Sequence, residues 1–318
     1  MPEIVQDALS GLSDALVERA RRARPLVAHI TVRGRSMRSG TLWRKDVVVA
    51  SEQSLPDIDQ ADVTLADGAS LTARVAGRDP GTNVVVFRLE GTPEPSPLSV
   101  PEPRLGALVL VFGTDSGGPS MRLGTINSVG PAWYSRAGGR IDRRIALDVR
   151  LADREEGGPV LDAAGGGLLG ISTLGPRRQV LVIPRATVDR VLDPLLSKGR
   201  VERGWLGLAL QPVLVPEALQ AEAGQPRGLM IMRVVKDGPA AKAGIVAGDI
   251  LVTLDGQGVS RPSTVTEHLG PESIDRPVEL RLIRAGELGR AAKRSRIIRR
   301  ADCGAPPKVW QVAQGHVR

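Results

Sequence analysis

The stretch "DREEGGPVLD", residues 153–162, holds the densest set of side chains that could do chemistry. Glu155 and Glu156 are adjacent carboxylates, preceded by Arg154 and followed by Gly157, Gly158 and Pro159. In such a pair one carboxyl can serve as acid and the other as base, given a raised pKa and a substrate pocket. The sequence supplies neither for Glu156, whether it is paired with Glu155 or with Glu52. The structural alternative is a salt bridge from Glu156 to Arg154 or another arginine, locking the turn. Other chemistries are poorly provided. The single cysteine, Cys303, allows no internal disulfide. His29, His268 and His316 share no metal-ligand spacing with it. No metal and no cofactor is expected.

A strand-forming run, "RIALDVRL", leads into this stretch, and a hairpin, "VLDAAGGGLLGIS", leaves it. Similar short β-branched runs recur from Leu26 onward: "LVAHITVRG", "DVVVAS", "DVTLADG", "NVVVFRLE", "ALVLVFG", "LGTINSVG", "VLVIP". Turn residues divide them at intervals of roughly ten, the pattern of an all-β sandwich or barrel. "GTPEPSPLSVPEPRLG" (91–106) carries five prolines and reads as a connector between two β halves. "RATVDRVLDPLLSKGR" (185–200) reads as an exit helix stopped by Gly199. Ahead of the strands, residues 1–24 form a helical segment. Val5, Ala8, Leu9, Leu12, Leu16 and Ala20 make one apolar stripe that would dock on its own domain or on a partner. A second unit of strands with one or two short helices spans 204–300. Residues 301–318 have no period and are expected to be a loose tail.

The chain has 318 residues, enough for two or three domains, with 42% apolar and 25% charged residues, as in an ordinary globular protein. No run approaches 18 apolar residues, so no membrane span is indicated. The first 25 residues contain Glu3, Asp7, Asp14 and Glu18 and lack the apolar core of a secretory signal. The expectation from this is a cytoplasmic protein. The net charge of +8 gathers in 18–25 and 290–300. With aromatic residues at 2%, base stacking is poorly supplied, and these runs read as solvated faces rather than as a nucleic-acid or anionic-membrane surface.

Five segments in order resemble the HtrA/Deg-type serine proteases: "RDPGTNVVVFRLE" (78–90), "VFGTDSGGPSMRLGTINSVG" (111–130), "IALDVRLADREEGGPV" (145–160), "LVIPRATVDRVLDPLLSKGRVERGWLGL" (181–208) and "VVKDGPAAKAGIVAGDILVTLDGQGV" (234–259). The resemblance covers roughly 25–300. It implies a mainly β fold: a chymotrypsin-like double β-barrel over 25–200, then a PDZ domain over 204–300. In this register the family's catalytic serine falls on Glu156, its aspartate on Asn83 and its histidine on Gln53. The oxyanion loop is altered at Arg154, Glu155 and Gly157, since Arg154 replaces a glycine.

Attack on a peptide carbonyl needs a nucleophile, a base and a group to orient the base. Gln53 cannot cycle a proton near neutral pH, Asn83 lacks the orienting charge, and Glu156 is a weak nucleophile with no base. The resemblance therefore implies a catalytically inactive homologue, with Gly157, Gly158 and Pro159 kept for the turn. Its working part would be the PDZ domain, which takes the last residues of another chain as an added strand. Backbone N–H groups of Leu206, Gly207 and Leu208 would hold the carboxylate. Leu208, Leu210, Val265 and His268 would line the side-chain pocket. Partners would be C-terminal or unfolded polypeptide segments, with the chain acting as adaptor, chaperone-like factor or regulator. Family relatives commonly form trimers, which implies a homo-oligomer or a mixed oligomer with an active paralogue. The alternative is an active or residual serine-type endopeptidase.

Overall fold

The β-branched runs of the first two hundred residues close into two barrels. The computed structural model describes residues 2–285 apart from 33–35, 97, 116–117 and 136, together with 287–288, 293–296 and 298–299. The chain divides into two units, Met1–Val201 and Glu202–Arg318. In the first unit, β1 (Val27–Val32), β2 (Ser36–Arg44), β3 (Val47–Ser51), β4 (Gln60–Thr64), β5 (Ser70–Asp79) and β6 (Val84–Arg88) form one closed barrel, ordered β1-β2-β3-β6-β5-β4. Among its described residues the proline-rich connector carries no strand. After it come β7 (Leu108–Asp115), β8 (Gly118–Gly130), the small ribbon β9 (Trp133–Tyr134) and β10 (Arg140–Ile141), then β11 (Arg144–Leu147), β12 (Pro159–Asp162), β13 (Leu168–Leu174) and β14 (Val180–Pro184). The second closed barrel runs β11-β14-β13-β12-β7-β8.

The runs "VVVAS" and "VVVFR" are apolar at nearly every position because both faces of β3 and β6 are covered. Val48, Ala50, Val85 and Phe87 fill the first barrel. Val49, Val84 and Val86 point the other way, into a cluster with Leu110, Phe112 and Ile171 of the second barrel. The same cluster takes Val188, Val191, Leu192 and Leu195 of the helix α2 (Arg185–Lys198), which ends on left-handed Gly199. The seam between the barrels is thus a continuous apolar core, and the loops at its rim are held in place from below.

The first helix, α1 (Pro2–Ala23), answers the docking question in part. Leu16 and Ala20 pack on the seam cluster, Ala23 is buried in it, and Arg19 donates to the Ala164 carbonyl at 2.6 Å. Leu9 and Leu12 stay exposed, at 59% and 47%. The basic residues at its end are partly neutralised within the helix. Hydrogen bonds from Arg21 and Arg22 hold the Glu18 carboxyl down to about 2.

The second unit is a sheet ordered β16-β17-β18-β20, built from β16 (Leu208–Leu214), β17 (Arg227–Val234), β18 (Ile250–Leu254) and β20 (Pro277–Arg284). Before it lies β15 (Gly204–Trp205); β19 (Gln257–Gly258) pairs with β18. Helices α3 (Glu217–Ala223), α4 (Pro239–Lys242) and α5 (Pro262–His268) complete it. Leu229, Ile231, Leu251, Leu254 and Leu280 form its core with Ala240 and Val265. The expected loose tail, 301–318, lies outside the described residues, as do 290–292, 297 and 300 of the basic run.

Candidate functional site: a polar centre between the barrels and an open strand edge

At the rim of the seam, four chain segments meet. β3 ends at Ser51, and a single 3-10 turn, Glu52–Ser54, carries Gln53. Ahead of β6, Asp79 folds the chain back by accepting from the N–H groups of Gly81 and Thr82 and from the Thr82 hydroxyl at 2.7 Å. That turn delivers Asn83 with φ of 58°, a left-handed conformation asparagine tolerates better than most residues. β13 brings Thr173 and Leu174. The loop before β12 brings Glu156, which is 4% exposed.

Gln53, Asn83 and Glu156 come together here. The Gln53 backbone N–H donates to Asn83 Oδ1 at 2.8 Å, and Gln53 Nε2 donates to Glu156 Oε1 at 2.6 Å. Ser51 Oγ and Thr173 Oγ1 donate to the same carboxylate oxygen, both at 2.7 Å, and the Leu174 N–H does so at 3.1 Å. Asn83 Nδ2 donates in turn to Ser51 Oγ at 3.0 Å and Thr173 Oγ1 at 2.7 Å. The second hydrogen of the Gln53 amide goes to the Leu174 carbonyl at 2.7 Å. Each hydroxyl accepts from Asn83 and donates to Glu156. A buried carboxylate is thus stabilised by neutral donors alone, in a network whose members leave few unmet bonds.

This corrects the expected salt bridge. Among the described residues no arginine holds Glu156. Arg154 pairs with Asp115 at 3.1 Å on the surface, and the arginine-bonded carboxylate is its neighbour. Glu155, 1% exposed, receives Arg122 through Nε and NH2, Ser120 Oγ at 2.8 Å and the Ala152 N–H at 2.8 Å. Burial pushes the Glu155 carboxyl up, but those hydrogen bonds outweigh it and hold the group below the ordinary carboxylate range. Glu52, the other candidate acid, is engaged by Arg78 at 3.2 Å.

The oxyanion-loop positions are wound into a 3-10 turn, Asp153–Glu155, closed by the Glu155 N–H to the Ala152 carbonyl at 2.9 Å, with no left-handed angle at Arg154. Gly157 does have one, φ of 99°, and a Cβ there would lie 2.5 Å from the Ser39 carbonyl oxygen. The glycine frame is therefore required by close backbone packing of the loop on β2. Ser39 Oγ donates to the Arg154 carbonyl at 2.6 Å, and Thr41 Oγ1 donates to the Gly157 carbonyl at 3.2 Å.

Among the described residues no histidine joins the network. His29 sits on β1, hydrogen-bonded to Thr114 Oγ1, with burial lowering its pKa. His268 lies in the second unit, and His316 is outside the described residues. Among the described residues no group of three metal-ligating side chains occurs. Beside Gln53 and Asn83 opens a cleft of about 530 Å³, walled by the β9–β10 ribbon and by Thr173–Pro176. Sequence reasoning missed Ser51 and Thr173, the two hydroxyls that complete the network. Their signal is slight: single small polar residues in the apolar runs "VVVAS" and "GISTL".

The second candidate site is in the second unit. β16 pairs with β17 on one side only, and α5 lies along its other edge. Gly207 is left-handed, φ of 77°, and its carbonyl accepts from the Val235 N–H at 2.9 Å. That bond places Ala209 in the hydrogen-bonded register with Arg233 and turns the Leu208 N–H to the open edge. The N–H groups of Leu206 and Gly207 have no acceptor among the described residues. The side chains of Leu206 and Val265 belong to the core of this unit, whereas Leu208 and Leu210 are half-buried. His268 Nδ1 bonds to the Thr264 carbonyl at 2.8 Å within α5.

Comparison with known proteins gives these two sites a context. Residues 38–171 match the model of the trypsin-like peptidase domain, and 204–292 match that of the PDZ domain. Over 234 residues the chain is 32% identical to a probable periplasmic serine endoprotease, DegP-like, of Brucella suis biovar 1 (strain 1330), covering 68% of this chain and 43% of the relative. The chain is a homologue of the DegP/HtrA serine endoproteases. A relative of the same description from Pseudomonas fulva (strain 12-X) is 26% identical over 268 residues, covering 79% of this chain and 54% of the relative. This HtrA-type homologue thus spans about half the length of the curated relatives it matches. Among solved structures it is similar to the HtrA-type protease AlgW with tripeptide, with TM-score 0.70, 25% identity, and coverage of 92% of this chain and 98% of that one. It also shares the fold of the serine endoprotease from Yersinia pestis, with TM-score 0.70, 23% identity, and coverage of 89% and 97%. The relatives carry periplasmic names. Among the described residues of this homologue no helix is long and apolar enough to cross a membrane.

Proposed function

We propose that this HtrA-type homologue does not cleave peptide bonds and works as a peptide-binding adaptor, chaperone-like factor or regulator through its PDZ domain. One observation carries the reading. Glu156, on which the family nucleophile falls in the sequence register, accepts four neutral hydrogen bonds on its carboxylate, one of them from the Gln53 amide. An amide side chain cannot take a proton from a nucleophile, and Asn83 beside it carries no charge to stabilise a protonated base. The open strand edge at Leu206–Leu210 supports the binding half of the proposal. A polypeptide C-terminus would add to β16, its carboxylate on the N–H groups of Leu206, Gly207 and Leu208.

The test is mass spectrometry of an unfolded protein, casein, after overnight incubation with the purified chain and with Glu156→Ala in parallel. No new peptides from either is the expected result. New peptides from the parent alone would overturn the reading and place Glu156 in a peptidase mechanism. Assembly with itself or with an active relative belongs to the same proposal and is read by light scattering coupled to size exclusion. Cell fractionation decides between a cytoplasmic compartment and the periplasmic one of the relatives' names.

A further inference from the structure

Many arginines of the first unit hold a carboxylate: Arg78 holds Glu52, Arg122 holds Glu155 and Arg190 holds Asp142. Arg74 of β5 and Arg88 of β6 depart from this. They are direct partners in the β5–β6 ladder, and both are exposed. Residues opposite each other on antiparallel strands send their side chains to the same face, with Cβ atoms ~5 Å apart, where like charges repel. Neither arginine has an ion pair or a side-chain hydrogen bond among the described residues. Gln60, opposite Arg74 on its other side, is uncharged. Asp62 of β4 bonds to Thr72, and Asp46 ahead of β3 bonds to Thr92.

The row continues across the barrel wall. Arg88 is in register with Val47 of β3, and Val47 with Arg44 of β2. Neighbouring strands lie ~4.8 Å apart, so Arg74, Arg88, Val47 and Arg44 follow one another over ~14 Å of the outer face. Val47 is buried, which leaves the three arginines as the polar heads of the row. Arg44 meets Asp193 at 3.0 Å, but that pair is exposed on both sides, 45% and 75%, and an exposed pair contributes little. Three arginines against one aspartate leave a net charge of +2. A guanidinium offers forked donors that match carboxylate or phosphoryl oxygens two at a time. A carboxylate has two oxygens and is filled by one arginine. A terminal phosphoryl group has three and can lie between Arg74 and Arg88, and a second one linked to it extends toward Arg44.

We propose that Arg74 and Arg88, with Arg44 at the end of the row, form a binding site for a chain of linked phosphoryl groups, as in an inorganic polyphosphate or the tail of a nucleoside triphosphate. Such a ligand replaces the repulsion between two facing arginines with charge-assisted hydrogen bonds. The inference goes beyond the proposed function, which uses none of these residues.

The experiment is isothermal titration calorimetry on the full chain at low ionic strength. Sodium tripolyphosphate is the probe, ATP the nucleotide form, and sodium sulfate at matched ionic strength the single-anion comparison. Saturable binding of tripolyphosphate at a Kd of ~0.1 mM, in keeping with its size, is expected. ATP binding no tighter than tripolyphosphate supports an inorganic chain as the ligand, and tighter binding supports a nucleotide. Sulfate should bind at least ~10-fold more weakly, since it spans less of the row. Arg74→Gln and Arg88→Gln should each weaken tripolyphosphate at least ~10-fold by removing a charge-assisted bond. Arg44→Gln should weaken it ~3-fold, because Arg44 is shared with Asp193. Arg104→Gln, at an exposed arginine of the connector, should leave the Kd unchanged. Absence of saturable binding, equal binding of sulfate, an unchanged Kd in Arg74→Gln or Arg88→Gln, or an equal loss in Arg104→Gln would each overturn the proposal. Circular dichroism of the variants separates loss of the site from loss of the fold.

Discussion

Around Glu156, four donors converge on one carboxylate oxygen, whereas at Leu206–Leu208 backbone donors face no acceptor among the described residues. The two regions use the same kinds of group and reach opposite states. A network that is satisfied from within rigidifies the fold and has little to gain from a ligand. A loop whose N–H groups are left open gains by capturing an anion. On the proposed reading, the region that resembles an active site serves the scaffold, and the open edge of the second unit is where a ligand would bind.

The comparison can be broken most forcefully at the frame of the first region. Gly157→Ala places a Cβ 2.5 Å from the Ser39 carbonyl oxygen at a left-handed φ, and should cost ~3 kcal/mol or more. Urea denaturation reads it; a loss under 1 kcal/mol would show that the loop does not depend on that approach. Next, Glu156→Ala leaves Ser51, Gln53, Thr173 and the Leu174 N–H without their acceptor. It should cost ~2–3 kcal/mol, and Glu156→Gln, which restores one acceptor oxygen, about half as much. If Glu156→Ala is more stable than the parent, Glu156 is kept for something other than the fold.

The second region should behave in the reverse way. Peptides ending in an apolar residue should lose at least ~10-fold in affinity when their C-terminus is amidated, a change of ~1.4 kcal/mol, because the carboxylate meets the open N–H groups. Fluorescence anisotropy with the two peptide forms measures this, and equal binding of both would remove the carboxylate site.

The smallest effect sharpens the first region by pH. The folded-state pKa of Glu155 lies below that of the unfolded chain, so its stabilisation is complete above the unfolded value of ~4.3. It is lost as pH falls through the lower folded value. Unfolding free energy should therefore drop as pH falls below ~4.3, and Glu155→Gln should flatten that drop, as urea denaturation across acid pH would read. His29 acts in the same direction at higher pH. Burial depresses its folded pKa, so its contribution is present above ~6.5 and fades as pH falls below that.

Much of the architecture was legible in short-range pattern. β-branched runs gave most of the barrel strands, five prolines marked the connector, and Gly199 marked the end of α2. Two barrel strands left no such trace. β2, "SMRSGTLWR", carries Ser39, Gly40 and Thr41 where the 153–157 loop presses on it, so small and polar residues replace the apolar ones that would have flagged a strand. β5, "SLTARVAGRD", alternates with charge and bulges between Val75 and Gly77, which blurs its period. The short helix α3, "EALQAEA", was not singled out either.

At the site the division is sharper. Residue identities alone determined that Gln53, Asn83 and Glu156 lack a base, a charge and a strong nucleophile, because proton transfer depends on functional groups. Only the tertiary structure decided which neighbour answers the buried carboxylate. Arg154 is two residues away in sequence, yet its 3-10 turn sends it out to Asp115. Ser51, Gln53 and Thr173, from 17 to 105 residues away, come within hydrogen-bond distance. Local pattern reports which face of an element is apolar. The partner of a buried charge is set by long-range packing at the seam, where dehydrated groups must take whatever donors the two barrels bring together.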